Sequence, residues 1–366
     1  MKTSLLNVAA ALALAAPSPS GAEAPQGTPI SIGTSHVLTS TVLKGDREIN
    51  IHLPASYASA KEPRRYPVLY VLDGGVDQDF VHIAGVAQHG AMSWTFDEFI
   101  VVGIGTKKRI WELTTPTQDE RYSAYFRAAG EAAEIAGGGG SAEFRRHIAE
   151  EVIPHIEKTY RTNDRRALMG ESLAGLFVVD TLLRRPAMFN DYVAISPSLW
   201  WNREELGNRA SEMLKGQDYA GRRLYLTMAA EGGTMRRAVD NFLRALKSPA
   251  AGALKWTYVD RRASEHHGSI YHAAALDALR TLYPQPWRPG APYPWFHTGE
   301  MKPLSAAAEA DRKVPCTAER AKRVTFAEID KAPARWEAFC LLSPLGEAPE
   351  PRLRSRNWYA PAAATK

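Results

Sequence analysis

One serine in this chain stands where it can act as a nucleophile. Ser172 lies within Arg166–Phe177 (Arg-Ala-Leu-Met-Gly-Glu-Ser-Leu-Ala-Gly-Leu-Phe), an apolar run, a turn and a second apolar run. A serine at the tip of a sharp strand-to-helix turn projects from the backbone, where a base can reach its hydroxyl. The spacing is G-x-S-x-A, with Ala174 where the motif usually has glycine and Gly175 next to it. Alanine is the next smallest side chain, so the pattern still predicts such a turn.

A serine hydroxyl is a weak nucleophile and needs a base that is oriented by an acid. Glu231 comes just after a predicted strand and before two glycines, so we favour it as the acid. It could instead stabilise the N-terminus of the following helix, where acidic side chains are favourable. Asp260, at the end of the next predicted strand, is the second candidate acid.

The candidate base lies in Glu265-His-His-Gly-Ser269, the loop after the last predicted strand. His266 and His267 are adjacent and only one of them can be the base, so at this point either is possible. The resulting order of serine, acid and histidine along the chain is that of the α/β-hydrolases.

Attack on a carbonyl creates an oxyanion, which needs N–H donors. The N–H of Leu173, directly after the serine, is one candidate. We expect the second donor in Asp73-Gly74-Gly75, because glycine lets the backbone approach a substrate closely. Gly75 is favoured, or Gly74 if the turn is shifted by one residue.

Strands that alternate with helices must position these residues. This pattern predicts an α/β fold of the α/β-hydrolase type, with a mostly parallel sheet covered by helices on both faces. The predicted strands are 31–43 and 48–53, an antiparallel hairpin turned at Lys44-Gly45-Asp46, and then 66–72, 99–104, 166–169, 192–196, 223–229 and 254–259. The predicted helices are 83–92, 142–160 with a kink or break at Pro154, 173–184, 203–214, 235–247 and 270–283. Ligand sites in such sheets lie at the carboxyl ends of strands, where every candidate above falls.

The N-terminus has the pattern of a secretory signal peptide. A basic start is followed by the apolar run Leu5–Ala16 and by Ala22-Glu23-Ala24, which fits a cleavage site. We therefore interpret residues 1–24 as a signal peptide and expect an exported protein, periplasmic or secreted.

The composition changes near the C-terminus. We expect residues 30–288 to form the catalytic domain and 289–366 an extension with a disordered tail. The extension contains both cysteines, Cys316 and Cys340, and an even pair in an exported protein indicates a disulfide. Closing that loop would stabilise the fold by about 3 kcal/mol in the chain-entropy model.

The overall composition excludes several classes of function. The 366 residues are 45% hydrophobic and 23% charged, which suits a globular protein with a large core. The formal net charge of +5 comes from scattered arginine pairs rather than a continuous basic stripe, so no nucleic-acid partner is indicated. The sequence has no H-E-x-x-H, no phosphate loop and, beyond the N-terminus, no long apolar run. We expect no metal, no cofactor and no stable membrane insertion, and leave the oligomeric state open.

Several separated stretches together resemble the putative-esterase (esterase D-like) family of α/β-hydrolases, most closely its bacterial siderophore esterases of the enterobactin and bacillibactin type. The resemblance covers roughly residues 35 to 283. The stretches that carry it are 66–74 (YPVLYVLDG), 101–104 (VVGI), 109–116, the helix 144–160, 170–177 (GESLAGLF), 195–201 (ISPSLWW) and 265–269 (EHHGS).

The resemblance implies roles for particular residues. It places the nucleophile at Ser172, the base at His267 rather than its neighbour, and the acid at Glu231. It implies a serine ester hydrolase that acts through an acyl-enzyme on a small-molecule ester. The chain departs from the family at Ala174 and at Glu171, where many relatives have histidine; Glu171 puts a carboxylate beside the nucleophile.

The substrate is left open by the resemblance. Relatives act on siderophore trilactones, feruloyl or acetyl sugars, or S-formylglutathione. Trp200 and Trp201 could form an aromatic wall for a catecholate or phenolic ligand, with Gly74 also at the substrate, or the two tryptophans could be core residues. An acyltransferase of the same fold and a non-catalytic ligand-binding homologue are the alternatives to a hydrolase.

Overall fold

The computed structural model describes residues 27–59, 64–93, 95–117, 119–130 and 138–284, and every structural statement below concerns these residues. The predicted signal peptide, residues 1–24, lies outside them. So do the extension 289–366 and the predicted disulfide between Cys316 and Cys340. These three remain predictions.

The described residues form an eight-stranded, mostly parallel sheet, which confirms the predicted fold class. The strands are β1 (Thr34–Ser40), β2 (Gly45–His52), β3 (Tyr66–Leu72), β4 (Ile100–Ile104), β5 (Thr162–Glu171), β6 (Asp191–Ile195), β7 (Arg223–Met228) and β8 (Lys255–Asp260). Their order across the sheet is β1-β2-β4-β3-β5-β6-β7-β8. Only the pairs β1–β2 and β2–β4 are antiparallel. The carboxyl ends of β3 to β8 therefore share one edge.

Burial explains which strands the sequence pattern located well. All five residues of β4 and all five of β6 are buried, as expected for strands covered on both faces. The prediction for β5 was too short because only Ala167–Gly170 are buried in succession. Its first five residues are mostly partly exposed and polar, yet they extend the pairing with β3. The first hairpin turns at Thr41–Lys44, slightly earlier than predicted, with Lys44 at a φ of 55°.

The helices cover both faces of this sheet. They are α1 (Ser56–Ser59), α2 (Phe80–Met92), α3 (Arg109–Leu113), α4 (Glu120–Ala128), α5 (Ser141–His147), α6 (Ile153–Thr159), α7 (Leu173–Arg184), α8 (Trp201–Leu214), α9 (Gly233–Leu246) and α10 (Ile270–Leu282). Helix α7 has the predicted bounds. The sequence pattern did not predict helices α1, α3 and α4, which are short and lack an extended apolar stripe. In α8, Asn202, Arg203 and Glu204 have positive φ, so its right-handed part begins after them, close to the predicted start.

Pro154 does not break its helix. Helices α5 and α6 are joined by the π-helical turn Ile148–Val152, in which the N–H of Ile153 donates to the carbonyl of Ile148. Proline lacks an N–H and crowds the preceding turn of an α-helix. A π-helical turn just before it accommodates the ring with one wider turn.

The described residues belong to two units, one with residues from 27–91 and 98–278 and the other with residues from 92–97 and 279–284. Every candidate site residue belongs to the first unit. No helix in the described ranges has the length and apolar character needed to cross a membrane.

Candidate active site

The turn between β5 and α7 presents Ser172 in a strained conformation. Ser172 has a φ of 59° and a ψ of −118°, which non-glycine residues rarely adopt. Its N–H donates to the carbonyl of Ile195 at 3.0 Å, and its carbonyl accepts from the N–H of Leu176 at 2.9 Å. These bonds to β6 and to the first turn of α7 hold the strained residue in place.

The small residues around Ser172 are required by close packing. A Cβ added to Gly170 would lie 2.7 Å from the Cβ of Ala174. Ala174 therefore fits because position 170 is glycine, which explains how the turn accommodates this departure from the usual motif. A Cβ on Gly175 would lie 2.9 Å from the carbonyl oxygen of Ile195 and 3.0 Å from the Cα of Pro197. Gly175 thus lets α7 approach the end of β6.

The structure brings Ser172, His267 and Glu231 together in one chain of hydrogen bonds. His267 Nε2 lies 3.1 Å from Ser172 Oγ, and His267 Nδ1 lies 2.5 Å from Glu231 Oε1. A carboxylate can only accept, so Nδ1 carries the proton and donates. The Nε2 of the neutral ring is then an acceptor that faces the serine hydroxyl.

Loop contacts position Glu231 and His267. Glu231 follows β7, and the N–H of Ala230 donates to the carbonyl of Glu265 at 2.9 Å, which ties this strand end to the histidine loop. Ser269 Oγ donates to Glu265 Oε2 at 2.6 Å within that loop. The side chain of Glu231 is 11% exposed and that of His267 is 44% exposed, so the ring can be reached from solvent.

The two alternative residues lie elsewhere. His266 Nδ1 accepts from the N–H of Gly268 at 3.2 Å, within its own loop. Asp260 pairs with the guanidinium of Arg262, whose Nε lies 2.9 Å from Asp260 Oδ1. Between the two candidate acids, the hydrogen bond to His267 belongs to Glu231.

Electrostatics around His267 favour its protonated form. The hydrogen bond to Glu231 raises the pKa of the imidazole, and the charges of Glu231 and Glu171 add to the increase. Burial and the guanidinium of Arg109 oppose it. An imidazole with a raised pKa is a stronger base, and once protonated it can donate that proton to a leaving group.

The predicted oxyanion loop is formed, but its N–H groups are already engaged. The N–H of Gly74 donates to the carbonyl of Ile104 at 2.9 Å, and a Cβ at Gly74 would lie 2.4 Å from the Cα of Gly103. Gly74 therefore allows close packing of the end of β3 against β4, and a contact between Gly74 and a substrate remains a prediction. The N–H of Gly75 donates to Gln78 Oε1 at 2.9 Å. Leu173 opens α7, so its N–H has no partner within the helix.

Gln78 ties the oxyanion loop to the end of β4. Its Oε1 also accepts from the N–H of Thr106 at 3.3 Å, and its Nε2 donates to Thr106 Oγ1 at 3.0 Å. For Gly75 to donate to an oxyanion, Gln78 Oε1 has to be replaced as its acceptor. Sequence reasoning did not identify Gln78.

Charged side chains line the carboxyl ends of β3, β4 and β5. We call Asp73, Asp79, Arg109 and Glu171 the charged edge. Arg109 Nε donates to Asp73 Oδ2 at 2.8 Å, and the N–H of Asp79 donates to the carbonyl of Asp73 at 2.8 Å. Glu171 Oε1 is buried and has no hydrogen-bond partner among the described residues.

Two carboxyls of the charged edge have perturbed acidities. Burial raises the pKa of Glu171 to about 7, with repulsion from Asp79 and Glu231 adding to the increase and His267 and Arg109 opposing it. Burial also raises the pKa of Asp79 to about 7, with repulsion from Asp73 adding. Both groups therefore change charge near neutral pH.

The two tryptophans have different environments. Trp201 is 2% exposed, donates from Nε1 to the carbonyl of Thr115 at 2.9 Å and stacks on Tyr122 with ring centroids 5.4 Å apart. The prediction that Trp201 forms an aromatic wall is therefore wrong: it is a core residue. Trp200 is partly exposed and packs its ring 5.4 Å from that of Tyr122. A ligand contact by Trp200 remains a prediction.

Within the described ranges, no three histidine, cysteine, aspartate or glutamate side chains group as metal ligands.

Comparison with known proteins identifies the family. The model of the family described as "Putative esterase" matches residues 40–276, more than half of the chain. The chain belongs to the esterase family. The chain is 34% identical over 155 residues to the ferri-bacillibactin esterase BesA of Bacillus subtilis; the match covers 38% of the chain and 50% of BesA. The chain thus spans half the length of that relative.

Solved structures share the fold. An IroE-like serine hydrolase from Shewanella oneidensis superposes with a TM-score of 0.60 at 28% identity, over 69% of this chain and 80% of that chain. The BES protein from Bacillus cereus superposes with a TM-score of 0.58 at 22% identity, over 71% and 98% of the two chains. Both comparisons are consistent with the α/β-hydrolase architecture of the described residues.

Proposed function

We propose that this protein is a serine carboxylic-ester hydrolase that acts through an acyl-enzyme, with Ser172 as nucleophile, His267 as base and Glu231 as acid. The observation that carries the proposal is the continuous hydrogen-bond chain from Ser172 Oγ through His267 to Glu231 Oε1, with distances of 3.1 and 2.5 Å. These side chains come from the ends of different strands, so the arrangement depends on the fold.

In the first half-reaction, Ser172 Oγ attacks the ester carbonyl carbon and its proton passes to His267 Nε2. The new carbon–oxygen bond leaves a tetrahedral oxyanion, for which the N–H groups of Leu173 and Gly75 are the proposed donors. Collapse breaks the bond to the leaving alcohol, which takes the proton from His267. Glu231 stabilises the imidazolium throughout.

In the second half-reaction, a water molecule gives its proton to His267 Nε2 and adds to the acyl carbon. Collapse of that intermediate breaks the bond to Ser172 Oγ, which recovers its proton from His267. The products are the free acid and the regenerated serine.

For the substrate class, we propose siderophore or related phenolic esters. Two facts support this choice: BesA is named as a ferri-bacillibactin esterase, and the partly exposed ring of Trp200 follows the strand that packs against Ser172. Aromatic faces suit catecholate and phenolic rings.

The mechanism is tested by replacing the nucleophile. Ser172→Ala should reduce hydrolysis of a p-nitrophenyl ester by at least about 10³-fold and abolish labelling by a fluorophosphonate probe. Circular dichroism should show the wild-type fold. Wild-type turnover by Ser172→Ala would contradict the proposal.

The substrate class is tested by comparing ferric and iron-free catecholate trilactones with feruloyl sugars and short acyl esters. We expect the highest kcat/KM for a trilactone, with hydroxy acids as products by mass spectrometry. A preference for short acyl esters of more than tenfold would contradict the siderophore assignment. Acyl transfer to added glycerol in place of water would indicate an acyltransferase.

We further propose that residues 1–24 direct export. Expression of the full chain should place activity outside the cytoplasm, and deletion of residues 2–24 should retain it inside. Equal distribution of the two forms would contradict the proposal.

A further inference from the structure

A short turn at the end of β6 contacts both ends of the proposed triad. We call Ser196-Pro197-Ser198 the serine turn. Ser196 is fully buried and Ser198 is 2% exposed, and Ser196 has a φ of 38°. A buried hydroxyl and a strained backbone both carry a cost, so the contacts made by this turn require an explanation.

The first contact is with the nucleophile. Ser198 Oγ lies 3.2 Å from Ser172 Oγ, and the N–H of Ser198 donates to the carbonyl of Ser172 at 2.9 Å. Ser172 Oγ therefore has two polar neighbours, since His267 Nε2 lies 3.1 Å away. The single proton of Ser172 belongs to the bond with Nε2, which accepts. In the contact between the two hydroxyls, Ser198 must then be the donor.

The second contact is with the acid. Ser196 Oγ donates to Glu231 Oε2 at 3.2 Å and accepts from the N–H of Ala229 at 3.1 Å. The other carboxylate oxygen, Oε1, receives the proton of His267 Nδ1. Ser196 thus fixes the rotation of the carboxylate that orients the imidazole.

We propose that the serine turn is part of the catalytic machinery: Ser198 donates a hydrogen bond to Ser172 Oγ while negative charge develops there, and Ser196 is a positioning residue that holds Glu231 toward His267. The inference rests on the proposed function. Neither hydroxyl loses its own proton at any step.

The role of Ser198 changes with the charge on its partner. When Ser172 gives its proton to His267 and attacks, its Oγ carries partial negative charge until the new carbon–oxygen bond is complete, and a hydrogen bond to a charged acceptor is stronger than one to a neutral acceptor. In the acyl-enzyme the same Oγ is an ester oxygen, which is a weaker acceptor. The contact is therefore stronger in the transition state than before it, which is the condition for catalysis. The same argument applies when Ser172 Oγ leaves during deacylation.

The first experiment is Ser198→Ala. It removes the hydroxyl but keeps the backbone bond from residue 198 to Ser172. We expect kcat for a p-nitrophenyl ester to fall about 10- to 100-fold, as for loss of one hydrogen bond to a charged group, with KM within about twofold. The second-order rate of fluorophosphonate labelling should fall by a similar factor.

A matched control separates catalysis from stability. Thr227→Val removes another fully buried hydroxyl near this end of the sheet, one that donates to the carbonyl of Val259 at 2.7 Å and not to a residue of the triad. It should lower the melting temperature about as much as Ser198→Ala, yet keep wild-type kcat within about twofold. Ser198→Thr, which retains a hydroxyl, should recover labelling relative to Ser198→Ala.

The second experiment is Ser196→Ala, which leaves Glu231 Oε1 free to accept from His267. We expect a smaller loss in kcat, about two- to tenfold. The low-field proton resonance of His267 Nδ1–H should shift, because the carboxylate loses one donor and rotates. If Ser196 had only a structural role, the His267 Nδ1–H resonance would have the same position in Ser196→Ala as in Thr227→Val.

The outcomes distinguish this inference from the proposed function. If wild-type esterase is labelled and Ser198→Ala is labelled at the same rate, the serine turn has no catalytic part. The same conclusion follows if Thr227→Val loses as much kcat as Ser198→Ala. If wild-type esterase neither hydrolyses esters nor reacts with the probe, the proposed function itself fails.

Discussion

The two sides of Ser172 are built from different chemistry. On one side, the ends of β6 and β7 contribute the serine turn and Glu231. Ser196 Oγ donates to Glu231 Oε2, and Ser198 Oγ contacts Ser172 Oγ. On the other side, the charged edge holds Asp79 and Glu171, whose pKa burial raises to about 7. Glu171 Oε1 is buried and has no hydrogen-bond partner in the part of the chain that the structure describes.

The difference separates two tasks. A transition state is stabilised by groups that are already oriented, because no reorganisation is then needed during the reaction. The satisfied hydrogen bonds of the serine turn meet that condition. The charged edge instead changes its charge near neutral pH. It is therefore suited to influence how activity depends on pH and which substrate charge the site prefers. We therefore expect substitutions on the first side to affect kcat most.

The largest expected effect is the loss of activity in Glu231→Gln, which we compare with the same type of substitution, Glu171→Gln, on the other side of Ser172. Glu231→Gln should lower kcat/KM about 10²- to 10⁴-fold, since the imidazolium loses its counter-charge and the ring its orientation. Glu171→Gln should change kcat/KM at pH 8 by less than about tenfold. Both are measured with a p-nitrophenyl ester. Equal losses in the two variants would remove the distinction between the two sides.

The second prediction, with a smaller expected effect, concerns the N–H of Gly75, the proposed oxyanion donor on the side of the charged edge. Gln78→Glu places a carboxylate on the N–H of Gly75 and should lower kcat about 10²-fold, as for loss of one oxyanion donor. Gln78→Ala frees the same N–H and should lose less than about tenfold. If Gln78→Ala loses more kcat than Gln78→Glu, Gly75 is not the donor.

The pH profile should respond to Glu171. His267 has to be neutral to act as base, so kcat/KM falls below its pKa. The Glu171 carboxylate favours the imidazolium and raises the pKa of His267. Glu171→Gln removes that charge, so the acid limb of the kcat/KM profile should move to lower pH. A limb that stays in place or moves to higher pH would contradict this assignment.

The smallest expected effect is on stability. Burial raises the pKa of Glu171 from an ordinary value of 4.5 to about 7, so the folded state binds this proton more tightly than the unfolded state. Its contribution is most favourable below about pH 4.5 and is lost as the pH rises to about 7. Glu171→Gln should therefore raise Tm relative to wild type, by on the order of a few degrees at pH 8. Calorimetry at pH 4 should show a smaller difference.

Much of the fold was predictable because buried strands and apolar helices leave periodic patterns. The bounds of α7 and the run of β3 follow from such patterns. The first half of β5 was not predicted, because its residues are mostly polar and show no apolar pattern. They belong to the strand because they extend its pairing with β3. The short helix α4 was missed because its position depends on packing, as in the contact between Tyr122 and Trp201.

The residues of the candidate site also fall into two groups, those that the sequence indicated and those that only the structure showed. Ser172 was located by local spacing, and family resemblance selected His267 over its neighbour. Gln78, Ser196 and Ser198 were not identified as site residues, because each acts through a contact with a residue far along the chain. A short S-P-S motif at a strand end was visible, but nothing local indicated that its hydroxyls face Ser172 and Glu231.

The sequence by itself determined the α/β architecture, the strained turn and the order of serine, acid and histidine, because these depend on local spacing and on which residues must be buried. Tertiary structure decided which acid reaches the base, that Trp201 belongs to the core, and that the serine turn contacts both ends of the triad. Hydrogen bonds of about 3 Å between strand ends depend on how the sheet is assembled. That assembly brings Ser172 within reach of residues 26 and 95 positions further along the chain.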